Sequence, residues 1–123
     1  MAPSTLVSFT AQVRPPNANS TRGKVGVDFL VDANTLSAED DSGGKKLNVA
    51  FYVTIFSPQG KMLAQRSQKV DRAFPLEVYK QIVEKGMLLH MDIDPQPGSG
   101  QVRLAVQDNR TGLVGTIDAP LAQ

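Results

Sequence analysis

Cysteine and tryptophan are missing from this chain, and histidine occurs once, at position 90. Without cysteine there is no thiol catalysis, disulfide framework or cysteine-bound zinc. The compartment stays open, because many exported bacterial domains also lack it. A lone His90 excludes any site that needs two histidines from one chain. Charge of one sign is also missing: thirteen Lys and Arg face twelve Asp and Glu, with no basic block. With no Trp for base stacking either, nucleic acid is not an expected partner. Wholly apolar runs last only a few residues, so a membrane span is not favoured, and this domain is not expected to insert. The opening MAPSTLVSFTAQV lacks the positive segment and apolar core of a signal peptide. That leaves a cytoplasmic protein or a piece of a longer precursor.

What the chain does have is alternation, which a strand on a core requires because every second side chain must point inward. Its 123 residues suit one domain, 1–123, able to bury roughly two thirds of its unfolded surface. In LVSFTAQVR, Val7, Phe9, Ala11 and Val13 share a face, and PPNANSTRG follows as a loop. KVGVDFLVD sets Val25, Val27, Phe29 and Val31 inward. NTLSAEDDSGGKK reads as a break or irregular connection. The clearest strand is LNVAFYVTIF, with Leu47, Val49, Phe51, Val53 and Ile55 on one face and Asn48, Ala50, Tyr52, Thr54 and Phe56 on the other. SPQG turns the chain into KMLAQRSQKV, whose polarity suits an edge strand. MLLHMDID, QVRLAVQD and LVGTIDAPL complete seven strands, the last with Leu113, Ile117, Ala119 and Leu121 inward. Phe51 and Leu104 are expected at the centre of the core.

One segment changes period. In FPLEVYKQIVEKG, Leu76, Tyr79, Ile82 and Val83 fall on one helical face, Pro75 stands where a helix opens and Gly86 where one closes. This spacing predicts a helix over 76–85, in competition with a short strand PLEVY. Connections too short for helical crossovers make the sheets antiparallel, and many short strands with frequent turns indicate an all-β sandwich.

Four groups of residues invite a functional reading. Asp92 and Asp94 share a strand face and, with Asp108 and Asn109, offer oxygens to calcium. The competing reading, solvated strand ends, is favoured because calcium wants about six to eight oxygens. EDDSGG, residues 39–44, is the densest acidic cluster, and its glycines favour a flexible connection over a built cation site. His90 alternates outward and has no nucleophile motif beside it, so a surface role is expected and no catalytic residue is assigned. Tyr52 and Phe56 lie on the outer face of the most apolar strand and form the candidate interaction surface, for another protein or for carbohydrate. The favoured alternative is that the 76–85 helix covers this strip and buries Tyr52 against Ile82 or Val83. No cofactor or metal site is expected.

The stretches VGVDFLVDANTLS, LNVAFYVTIFSPQGKMLAQ, LEVYKQIVEKG and PGSGQVRLAVQDNRTGLVGTIDAPL, taken in order, resemble the C-terminal domain of von Willebrand factor A-related proteins of Acidobacteria, over residues 20–121. The resemblance implies an immunoglobulin- or fibronectin type III-like sandwich, joined to an upstream A-type domain in an exported protein. It implies an extracytoplasmic or secreted setting, with that upstream domain or another protein as partner. One departure is local: the family's Gly-any-Tyr pattern is replaced by Gly100, Gln101 and Val102, which removes a tyrosine able to form a corner hydrogen bond. No Asp-any-Ser-any-Ser stretch occurs, so no metal site carries over. The expected function is a noncatalytic module for protein interaction or spacing. The alternative is a carbohydrate-binding module, which needs a row of exposed aromatics that five Phe and two Tyr, mostly inward, supply poorly.

Overall fold

The computed structural model describes residues 7–14 and 23–120. The loop expected over 15–22 and the inward position expected for Leu121 lie outside these residues. Two antiparallel sheets face each other. One contains β1 (Phe9–Arg14), β2 (Val25–Val31) and β6 (Met87–Ile93), with β2 in the middle. The other is built on β4 (Gly44–Phe56), flanked on one side by β5 (Met62–Pro75). Its other side carries β3 (Glu39–Asp41) and β7 (Gln101–Asp108), and β8 (Val114–Pro120) pairs with β7 beyond it. A short 3-10 turn, Ala33–Thr35, precedes β3, and α1 (Leu76–Lys85) links β5 to β6 across the two sheets. This is an all-β sandwich of immunoglobulin-like general kind.

Alternation decides which residues meet between the sheets. Val25, Val27, Phe29 and Val31 are fully buried from one side, and Leu47, Val49, Phe51, Val53 and Ile55 from the other. Phe51 and Leu104 are central as expected, at 0% and 1% exposure. The sheets are stitched by aromatic contact: Phe29 packs edge-on against Phe51 at 5.2 Å between centroids, and tilts against Phe9 at 5.8 Å.

Two expectations require correction. The segment 39–44 is a hairpin, not a flexible connection, and it adds an eighth strand among the described residues. Glu39 lies opposite Lys46 and Asp40 opposite Lys45, so the acidic run is matched across the ladder by a basic one. Asp40 and Lys45 form an ion pair that holds the Asp40 carboxyl below its ordinary range. Ser42 and Gly43 make the turn, both at positive φ (46° and 88°), as a tight two-residue hairpin of the type I′ kind requires. The edge strand β5 also runs on to Pro75, five residues past the expected Val70, and passes directly into the helix.

Candidate interaction site

Tyr52 and Phe56 lie on the outer face of β4, as alternation requires, and both are half-buried. The helix does not cover them. Tyr79, Ile82 and Val83 of α1 pack against the buried core cluster, on the face opposite Tyr52. The reason is topological: α1 begins where β5 ends and finishes where β6 begins, in different sheets, so its apolar stripe closes the gap between the layers. What shields the outer strip is its neighbours. Gln65 on β5 donates to the Thr54 hydroxyl at 3.2 Å, and the Arg103 guanidinium of β7 lies 5.3 Å from the Phe56 ring centroid. Arg103 is held there by Asp118 of β8, at 2.8 and 3.3 Å. Thr54 and Ala50, between these neighbours on β4, are buried.

His90 is on the surface, as expected, within a chain of cross-strand partners. Its Nδ1 meets an Asp28 carboxylate oxygen at 2.7 Å, and its Nε2 meets Asp92 at 2.7 Å. Arg14 of β1 donates to the other Asp28 oxygen at 3.0 Å. Asp28 sits opposite His90 in the ladder, so the strand register itself brings them together. Hydrogen bonds that His90 donates to Asp28 and then Asp92 raise its pKa, and the His90 bond holds the Asp28 carboxyl below its ordinary range. Both ring nitrogens are occupied by carboxylates. The arrangement ties three strands together.

The four oxygens considered for calcium do not converge. Asp94 pairs with Lys24 at 2.5 Å, which lowers its pKa, and Asp92 serves His90. Asp108 is in the other sheet and is fully buried. Its two oxygens accept the backbone N–H of Ser37 at 2.6 Å and of Arg110 at 3.0 Å. Asn109 donates its backbone N–H to the Asn48 carbonyl, and its side-chain amide to the Asn48 side chain, at 2.9 Å each. The DNRTG turn is therefore a junction that locks the β7–β8 hairpin to the segment entering β3. Among the described residues no three His, Asp or Glu side chains group as metal ligands.

Sequence reading missed an apolar feature of the surface. Between β5, α1 and β6 runs an open groove of about 710 Å³. Val70, Phe74, Val78, Ile82, Leu88 and Leu89 give it an apolar lining, with Leu88 76% exposed and Val78 42%. It exists because β5 and β6 are both edge strands, in different sheets, and the helix bridges them at one end only. At the other end Arg66 reaches from β5 to the Asp92 carbonyl at 2.5 Å. The outward alternation of Leu88 was a usable signal; the neighbourhood of β5 and β6 was not. No helix among the described residues is long and apolar enough to cross a membrane. No family model matches the chain, and no curated protein or solved structure does either.

Proposed function

We propose that this chain is a noncatalytic β-sandwich module of an exported bacterial protein, acting in protein interaction or as a structural spacer between domains. The observation that carries the reading is the groove between β5 and β6, where large apolar side chains stand exposed along a sandwich edge. Exposed apolar surface of this kind is costly in water unless a partner covers it. The ionisable groups are consistent with a structural role, since Arg14, Asp28, His90 and Asp92 form ties between neighbouring strands. The exported setting rests on the family resemblance.

A photo-crosslinking residue at position 88, compared with one at the exposed position 116 on β8, tests this in the cells that make the protein. Crosslinks to a polypeptide are expected from 88 and not from 116. The carbohydrate alternative keeps Tyr52 as its anchor, because Arg103 already occupies Phe56. Retention on a polysaccharide that disappears in Tyr52→Ala would overturn the protein-interaction reading.

A further inference from the structure

We infer that the occupant of the groove is an extended acidic-apolar segment of a partner polypeptide, added as a strand along the free edge of β5. This rests on the interaction reading above and specifies its partner. The first argument is geometric. A cavity against a strand's face touches alternate residues, yet this groove is lined by every residue from Gln68 to Arg72, and by Gly86 to Leu89 at the start of β6. It therefore follows the strand edges, where backbone N–H and C=O groups lie. Among the described residues β5 pairs only with β4, so its other edge has no strand partner.

The second argument is charge. Lys69, Arg72 and Lys85 line the groove. The carboxylate among the lining residues, Asp71, is already held by Lys46 at 3.7 Å. Arg72 stacks on Phe74, 4.7 Å from its ring centroid, so apolar floor and cationic rim are adjacent. A strand lying here would turn alternate side chains onto the face that holds Val70, Arg72 and Phe74, and the others onto the face of Lys69. Aliphatic residues suit the first face and acidic ones the second. From Gln68 to Phe74 the edge offers about 20 Å, enough for a segment of about six or seven residues. The Arg66–Asp92 contact and α1 mark its two ends.

The probe is a fluorescent peptide of about eight residues alternating Val or Ile with Glu. It is compared with the same peptide bearing Lys for Glu, and with one N-methylated at alternate backbone amides. The acidic peptide is expected to bind and to slow amide exchange along 68–72. Lys69→Glu combined with Lys85→Glu should weaken it by about tenfold. N-methylation should abolish binding, a readout that leaves the protein unaltered. Equal binding of the Lys peptide, no binding of the acidic one, or protection confined to the Tyr52 and Phe56 face would overturn the inference. Concentration-dependent dimers that protect 68–72 would overturn it in favour of a second copy. Crosslinks from position 88 that persist beside any of these results leave the interaction reading standing; their absence removes both.

Discussion

Asp108 shows how much one residue in a turn can hold. A buried carboxylate survives only if its oxygens are satisfied, and here two backbone amides from separate segments do that. Asp108→Ala leaves both amides short of an acceptor and should cost about 1–3 kcal/mol, read from chemical denaturation. Asp108→Asn, which keeps an acceptor, should cost less. An Asp108→Ala variant as stable as the parent would show that the junction is dispensable. In the core, Phe51→Ala removes the ring that meets Phe29 and should cost about 3–5 kcal/mol. His90 behaves differently because it is solvated. Its raised pKa means that its contribution is fully present below its unfolded value, about 6.5, and is lost as pH rises through the higher folded value. Asp28 has the opposite sign: its contribution is present above about 3.9 and is lost as pH falls through its lowered folded value. The melting temperature of His90→Gln should fall below that of the parent between about pH 4 and 6.5, and converge with it at alkaline pH. A difference that persists undiminished into alkaline pH would remove the ion pairs as its cause.

At the scale of elements, the strands and helix were legible where local pattern and environment agree. The helix occupies Leu76–Lys85 because its 3.6-residue stripe, an initiating Pro75 and a terminating Gly86 all indicate one element. Val25–Val31 and Gln101–Asp108 likewise follow their alternation. The hairpin at 39–44 was not legible, because Glu39–Asp41 has poor strand propensity and its strand form depends on pairing with β4, where Asp40 meets Lys45, and on Arg110, which meets Glu39 from the distant turn. Its tightness is testable. A Cβ on Gly44 would stand 2.3 Å from the Phe74 carbonyl oxygen, so Gly44→Val must push β4 and β5 apart. Loss of amide protection around 44–46 and at 73 and 74 is expected, with the far ends of both strands retained. Unchanged protection there would refute the close approach.

For the whole molecule, the decisive pairings are distant in sequence. Val25 pairs with Ile93, and β2 cannot complete its sheet until β6 arrives. Closing such long loops is slow, so refolding is expected on a millisecond to second timescale, measured by stopped-flow dilution from denaturant. Microsecond refolding would be incompatible with this topology. The candidate sites divide along the same line. Tyr52, Phe56 and His90 could be assigned outward from alternation, because facing is a property of one strand. Whether the helix covered Tyr52, whether Asp92, Asp94 and Asp108 converged, and whether β5 and β6 left a groove between them depended on which strands are neighbours. The sequence alone determined the periodicities, and through them the faces, the turns, the helix and the all-β class, because these follow from interactions among residues a few positions apart. Only the tertiary structure decided that Asp108 is buried, that the acidic run is paired and that an apolar edge stays open. Each depends on contacts between segments far apart along the chain, set by how the two sheets stack.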